Sequence, residues 1–572
     1  MTVGPPPPND EEKAVPSNEN ETTSSPSTSR DGSPPAFNEQ TNYVPTKQIV
    51  TVFVACAIVE FVALMDQNTL AAALPVVSGY LRAGSKQAWI SGAYFVTTTA
   101  FTLIFGRLSD IWSRKTVLLG GLVIFFLGSL ASSLAQTATQ LIIFRAFTGV
   151  GGGGLATVAQ AIVSDVVPLR ERGKWQGILG ASVALAHGVG PVVGGALVEQ
   201  GDNSWRWIFR LNLPLSFVVF LCVVFMMPLK KVNGHWLTKF RAVDWAGMLL
   251  VLSSSTLLVL GLIWAGGDYP WSSANVIASL IAGAFVAAAF VLWQWKGAKL
   301  PLVPIYIFKS GLVNGACFTH FINGWNSMVQ IYYIPSFYQL ALGYAPLRAA
   351  TMLLPLTITQ TVASTTSGLV VYWTGRYRES ILLGWVVWSI GLGLYSTIDE
   401  TTGLGKQIGY AILTGFGIGQ TLQPSLVALQ AGVERKDMAV VTCTRGFLRS
   451  LGGVLGLAIS GTILNNTLRL SLQRLSLSAE DIRLVLNARD SINDLTSSTQ
   501  GREELMQAVL AGYKDGFRII FLSLAGLAAF ATLLAVWLIP QITLDRDDDE
   551  KLKAEGKKFV DDRKKKGVPE ES

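Results

Sequence analysis

GRLSDIWSRK, residues 106–115, lies between two apolar stretches, WISGAYFVTTTAFTLIF before it and TVLLGGLVIFFLGSLASSLA after it. A helix needs about 20 mostly apolar residues to cross a hydrocarbon core about 30 Å thick, and both flanks approach that length. The gap holds a Gly, an Asp, two Arg and a Lys, so it reads as a short loop joining two membrane helices.

Working outward, apolar runs of this length recur from Ile49 to Ile539. The 572 residues are 50% hydrophobic and 15% charged, where an ordinary soluble domain carries roughly 25% charged residues. Most of the chain is therefore expected in the bilayer. The net charge of +7 does not point to nucleic acid, because the basic residues sit in the short gaps between apolar runs, where topology signals belong.

Fourteen spans are predicted, near residues 48–75, 87–106, 116–135, 141–164, 174–198, 207–228, 244–265, 274–295, 312–340, 349–373, 380–397, 407–430, 438–464 and 516–539. Loops after even-numbered spans hold Arg107, Arg114 and Lys115; Arg170, Arg172 and Lys174; Lys230, Lys231, Lys239 and Arg241; Lys296, Lys299 and Lys309; Arg376 and Arg378; and Arg435 and Lys436. The opposite loops hold few. Since Lys and Arg accumulate in loops that stay in the cytoplasm, both termini are expected there.

The first 46 residues, rich in Pro, Ser, Asn and Glu, read as a disordered cytoplasmic segment with no cleavable signal. A polar stretch from about Thr467 to Lys514 breaks the pattern on the outer side, with Ser478 placed to cap a short amphipathic helix through AEDIRLVLNA. After Gln541 a charged tail is expected in the cytoplasm. The four cysteines, Cys56, Cys222, Cys317 and Cys443, fall inside apolar runs, so neither disulfide nor zinc spacing is present.

The opening motif has an echo. In GLVVYWTGRYRESILLG, Gly368 is followed eight residues later by Arg376, as Gly106 is by Arg114, and LLG closes both stretches. FRAFTGVGGGG, from Phe144, and GYAILTGFGIGQ, from Gly409, form a weaker pair. Both gaps of the first pair join an even span to the next odd one, as in transporters built from two parallel repeats.

At these residues the chain resembles the major facilitator superfamily, and within it the 14-helix drug:proton antiporters of fungal multidrug and metabolite efflux type. GRLSDIWSRK resembles that superfamily's loop motif, Gly-x-Leu-x-Asp-x-x-Gly-Arg-Lys. IIFRAFTGVGGGG resembles the helix 4 motif with its membrane Arg, at Arg145. GPVVGG, with Gly190, Pro191, Gly194 and Gly195, resembles the antiporter motif of helix 5. LMDQNTLAAALP and SWRWIFRLNLPL resemble the helix 1 motif and helix 6 entry of the 14-helix branch. Ser113, Thr148 and Asn68 depart from the Gly, Gln and Thr of those motifs.

The resemblance implies an all-α polytopic membrane protein, with two six-helix bundles and two added linker helices, fourteen transmembrane helices in all. The expected division is residues 1–46, a first bundle at 47–228, a loop with the added pair at 229–296, a second bundle at 297–540 with outer loop 467–514, and a tail at 541–572. It also implies that Gly106, Asp110 and Arg114, with Arg376 in the second copy, form a latch between the bundles. The second copy has Tyr372 where Asp110 would be.

Ionisable groups cost about 2.5–3.5 kcal/mol each in the hydrocarbon region and usually face a cavity or a partner. Here they are Glu60, Asp66, Arg145, His187, His320, Arg445 and Arg449. A carboxyl group held in such a place changes proton occupancy with the compartment its cavity faces. Asp66 is the first candidate for a proton carrier, against the reading of a permanently paired structural carboxylate. Glu60 is the alternative carrier, and Arg145 a modulator by resemblance. Asn323, Asn326, Gln330 and Tyr333 of the ninth span and Gln420 of the twelfth are candidate cavity-lining residues, since amides among aromatics suit varied organic molecules. They equally suit interhelical hydrogen bonds.

The expected function is a proton-coupled antiporter exporting drugs, toxins or secondary metabolites by alternating access. Alternatives are a carrier of basic amino acids or iron chelates, or a non-transporting sensor of the same fold. No enzyme is expected, since metal cluster, nucleophile elbow and Walker motif are missing from a sequence with three histidines. No cofactor is called for. The expected partners are a small-molecule substrate, protons and lipid, with the chain a monomer at the cell membrane or, alternatively, the vacuolar membrane.

Overall fold

The computed structural model describes residues 46–81, 83, 86–166, 169–201, 203–227, 240, 243–265, 269–299, 301–434, 437–475 and 499–544. The N-terminal segment, the stretch through residues 479–488 and all but the start of the tail lie outside the described residues. Among the described residues there are fourteen helices of 18 residues or more: α1 (Thr46–Tyr80), α2 (Gln87–Ile111), α3 (Arg114–Leu134), α4 (Ala138–Val166), α5 (Leu169–Val198), α6 (Trp207–Met226), α7 (Trp245–Trp264), α8 (Ala274–Lys296), α9 (Gly311–Leu340), α10 (Leu354–Thr374), α11 (Arg378–Tyr395), α12 (Leu404–Ala431), α13 (Met438–Gln473) and α14 (Thr499–Leu538). Each overlaps an apolar run of the sequence. In lipid every backbone N–H and C=O must be satisfied within its own segment, which leaves the helix as the only form open to these runs.

Ten of the helices are long and apolar enough to cross a membrane on length and composition alone. The other four are α9 to α12. The amides and hydroxyls of α9, α10 and α12 are spent inside the protein, with Asn323, Asn326, Gln330, Gln360, Ser364, Gln420 and Gln423 all buried.

The helices pack in two sets with one plan. In the first, α1 packs on α4, α5 and α6, α2 on α4, and α3 on α4 and α6. Adding eight to each label gives the second: α9 on α12, α13 and α14, α10 on α12, and α11 on α12 and α14. Between the sets, α5 meets α10 and α13 meets α2, an exchange the same rule also maps onto itself. α7 packs on α2 and α13, bridging the two bundles, and α8 packs on α7. Asp244 fastens the added pair: its carboxylate accepts from Gly247 N at 2.8 Å, capping α7, and from Trp293 Nε1 at 2.8 Å and Gln294 Nε2 at 2.7 Å of α8.

The weaker sequence echo has a packing cause. A Cβ on Gly151 of α4 would lie 2.6 Å from the backbone N of Phe125 in α3, and one on Gly153 would lie 2.5 Å from Thr98 O in α2. In the second bundle a Cβ on Gly417 of α12 would lie 2.7 Å from Trp388 Cα in α11, and one on Gly419 would lie 2.6 Å from Ser364 N in α10. Two glycines two residues apart face two neighbours at once, so the fourth helix of each bundle sits backbone to backbone between its second and third.

The loop motif shows local differences between copies. Ser113, where the motif has Gly, caps α3: its Oγ accepts from Thr116 N at 3.2 Å. In the second copy α10 ends on Gly375, whose φ of 69° is left-handed, with its N–H donating to Val371 O. The cationic anchors then differ. Lys115 Nζ donates to Val224 O and Met227 O at the end of α6, at 2.7 and 2.8 Å, and Arg378 Nη2 donates to Val536 O near the end of α14 at 2.9 Å. Each places a positive charge on unpaired carbonyls at the negative pole of the sixth helix of its bundle.

The outer segment departs from its reading as a polar break. α13 runs on to Gln473 and α14 starts at Thr499, so both exceed the roughly 20 residues a bilayer needs. Their projecting ends pack together through Leu468, Leu472, Leu505 and Val509. Ser471 Oγ donates to Ala508 O at 2.6 Å, and Lys514 pairs with Glu400 of the α11–α12 loop at 2.7 Å. Charged residues such as Arg469 and Glu503 end the apolar pattern without ending the helix.

Gly151→Val places atoms against backbone that cannot retreat, a cost of about 1–3 kcal/mol or more. We predict a lowered thermal midpoint or lost folded protein for this variant after purification in detergent. Gly120→Ala, where an added Cβ meets nothing within 4 Å, leaves the midpoint unchanged.

Candidate functional site

Two buried polar clusters lie where the bundles meet. The first is built on α1. Asp66 Oδ2 accepts from Arg145 Nη1 of α4 at 2.6 Å, and Oδ1 accepts from Asn212 Nδ2 of α6 at 2.6 Å. The two charged side chains are 0% and 1% exposed, a degree of burial that leaves each dependent on the other. The Arg145 guanidinium also stands 4.2 Å above the Tyr94 ring of α2. Gln67 Nε2 donates to the Tyr94 hydroxyl at 3.2 Å, while the Gln67 backbone carbonyl accepts from the Tyr332 hydroxyl of α9 at 3.1 Å. A charged pair inside one bundle is thus two side chains away from a hydrogen bond to the other.

The second cluster spans the bundles. Glu60, six residues before Asp66, is 1% exposed. Gln160 of α4 lies beside it, and the charges of Arg445 and Arg449 on α13 act on it from across the interface. Arg445 Nη2 donates to Leu422 O at 3.2 Å and its Nη1 to Gln160 Oε1 at 3.5 Å; Arg449 Nε donates to Asn323 Oδ1 at 3.2 Å. His187 of α5 is buried beside the Val183 backbone.

The sequence candidates separate on this geometry. Asp66 and Arg145 come together and Glu60 stands apart, facing the second bundle. Of the cavity candidates, Asn323 reaches the interface, holding Arg449 and donating to Thr421 Oγ1 at 3.0 Å. Asn326 Nδ2 instead donates to Leu524 O of α14, and the Tyr333 hydroxyl donates to Leu457 O of α13, both within the second bundle. Gln330 is spent on Asn326 O one turn back, and the Gln420 Cβ lies 2.8 Å from where a Cβ on Gly384 of α11 would sit.

Of the latch residues, Gly106 lies at a true inter-bundle crossing: a Cβ there would come 2.5 Å from Cys443 Sγ of α13. Arg114 is buried and donates to Ser109 Oγ, which donates in turn to Gly106 O at 2.7 Å. The Asp110 side chain lies outside the described residues. Arg376, in the loop between α10 and α11, is 72% exposed and pairs only at 3.8 Å with Glu379 in the first turn of α11. The left-handed Gly375 ends α10 just before it, so the anchoring contact of that loop falls to Arg378. Beside this face the Tyr306 hydroxyl donates to Asp437 Oδ1 at 2.5 Å, and burial, reinforced by Asp437, pushes the Tyr306 phenol up to about 12.

Within the antiporter motif, a Cβ on Gly190 would lie 2.7 Å from Asn68 Cβ, and one on Gly194 would run into Thr69 O, so these two glycines let α5 lie on α1. Gly195 faces across the bundles, 3.7 Å from Leu347 Cα, and Pro191 lines a cleft with Ala71, Ile331, Tyr332 and Pro335. The bundles therefore touch toward both faces.

Sequence reasoning missed Asn212, Tyr94 and Tyr332. A lone amide within apolar α6 was the available signal for Asn212. Nothing in the sequence distinguishes the two tyrosines from packing aromatics.

The sequence profile of the Major Facilitator Superfamily matches residues 56–457. The chain is similar to Citrate exporter 1 of Yarrowia lipolytica, 33% identical over 502 residues that cover 88% of this chain and 74% of that one. It is similar to Efflux pump dotC of Dothistroma septosporum, 30% identical with 86% and 84% covered. The fold is similar to the crystal structure of the human organic anion transporter MFSD10, with a TM-score of 0.54 at 13% identity, covering 86% of this chain and 100% of that one. The chain belongs to the major facilitator superfamily and is a membrane transporter of small molecules, not an enzyme.

Proposed function

We propose that this transporter is a proton-coupled antiporter that exports small organic compounds by alternating access, with Asp66 as its proton site. The observation that carries the reading is the short path from the Asp66–Arg145 pair through Tyr94 and Gln67 to Tyr332 of the other bundle. A proton on Asp66 removes the charge that holds Arg145 in place. Arg145 then relaxes from Tyr94, the Gln67–Tyr332 contact loosens, and α1 parts from α9. Loss of the proton restores the pair and the contact. Relatives named as efflux pumps and as a citrate exporter support export as the direction. The alternation of Lys and Arg between loops supports cytoplasmic termini, and we assign the protein to the cell membrane. The close approach at Gly106 supports a latch made with Asp110 and Arg114 on the cytoplasmic face.

Proteoliposomes with an imposed pH gradient and a panel of organic solutes test this reading. Asp66→Asn is expected to abolish gradient-driven accumulation while solute exchange partly persists; unchanged accumulation would reject Asp66 as the proton site. A panel in which the folded wild-type protein moves no solute under the gradient rejects the coupling itself.

Tyr332→Phe removes one buried hydrogen bond between the bundles. Such a bond contributes about 0.5–1.5 kcal/mol, so the ratio of open to closed protein on that face should rise roughly 2- to 10-fold. Distances between spin labels on α1 and α9 measure it.

A further inference from the structure

We infer that the interface holds a binding site for organic carboxylate anions, formed by Arg445 and Arg449 of α13 and occupied by Glu60 of α1 when no cargo is present. The inference rests on the reading that solutes cross between the two bundles.

Arg445 and Arg449 are one turn apart, on one face of α13, where like charges repel each other. Each has a buried N–H with nothing to donate to: Arg445 Nε and Arg449 Nη2. Their remaining contacts are sparse, with Leu422 O and Gln160 Oε1 for the first and Asn323 Oδ1 for the second. Arg145 Nε and Arg378 Nε are unmet as well, so the open donor alone does not set this pair apart; what does is two cations one turn apart that share Glu60 as a counter-charge across the interface, each with a buried donor that is costly to leave unmet. Their geometry suits a planar two-oxygen acceptor.

Among the described residues Glu60 is the carboxylate whose charge acts on both arginines, with the Gln160 side chain as its hydrogen-bonding neighbour. Two guanidinium groups against one carboxylate leave this place with an excess of positive charge. Asp66 does not redress it, since both its oxygens are committed to Arg145 and Asn212. The charge of Arg445 also acts on Cys317 of α9, that of Arg449 on His187 of α5, and both act on His320 of α9, whose Nε2 lacks a hydrogen-bond partner. A cationic cargo meets repulsion here, and an uncharged one leaves the open donors unmet. An organic anion satisfies both and displaces Glu60 as counter-ion.

Purified full-length protein in detergent is titrated calorimetrically with charge-matched probes: citrate and 4-tert-butylbenzoate as anions, trimethyl citrate and 4-tert-butylbenzamide as uncharged partners, and tetraphenylphosphonium as a cation. At least one anion is expected to bind about tenfold or more tightly than its uncharged partner, the size of one charge-assisted contact. Arg449→Gln should lose that preference, Arg449→Lys should keep part of it, and Glu60→Gln should tighten anion binding. Equal binding of anion and uncharged partner overturns the inference, as does preference for the cation, a Glu60→Gln variant that binds anions more weakly, or an Arg449→Gln variant that keeps the full preference. Variants are compared only where thermal midpoint and elution profile match the wild type; if Arg449→Gln fails that check, Arg449→Lys and Glu60→Gln decide. Gradient-driven transport of uncharged or cationic solutes without anion binding rejects the cargo class and leaves proton-coupled export standing. Anion binding in detergent without gradient-driven transport has the opposite meaning.

Discussion

Helices surrounded by lipid gain nothing from hiding apolar surface, so a bundle in a membrane is held by close approach and by polar contacts between helices. That constraint orders this molecule. Gly151 and Gly153 bring α4 onto α3 and α2, and Gly417 and Gly419 bring α12 onto α11 and α10. Gly190 and Gly194 do the same for α5 on α1. Where backbones meet this closely, crossing positions are fixed, and the buried charges can then be placed within hydrogen-bond distance.

The charges fall into two unlike groups. Asp66, Arg145 and Asn212 come from three helices of one bundle and satisfy most of one another's needs. Glu60, Arg445 and Arg449 come from both bundles and leave several atoms unmet. The first set is nearly closed on itself and the second is open, and α1 contributes a carboxylate to each.

The helical plan was legible because a run of apolar residues in lipid has one backbone solution. The continuation of α13 and α14 beyond their apolar runs was not, since there a helix is held by Leu468, Leu472, Leu505 and Val509 packing on one another, and charged residues on its free face erase the apolar run. The buried ionisable residues could be named from sequence, yet their pairing could not: Asp66 and Arg145 are 79 residues apart, and Asp66 and Asn212 146 apart. The amides of α9 show the same limit. Asn323 and Asn326 are three residues apart, yet one meets Arg449 and the other meets α14. A share of turn separates a place at the Arg449 contact from a place in the helix packing, and composition does not record it. The repeat was legible in outline at Gly106 and Gly368, but a single left-handed glycine, Gly375, moved the anchoring cation of the second copy to Arg378.

The position of α7 bears on how such a molecule moves. Because α7 lies along both α2 and α13, those two helices cannot separate without exposing part of it. The added pair is therefore a splint along one of the two seams, and any parting of α2 from α13 has to carry α7 along with one bundle and strip it from the other.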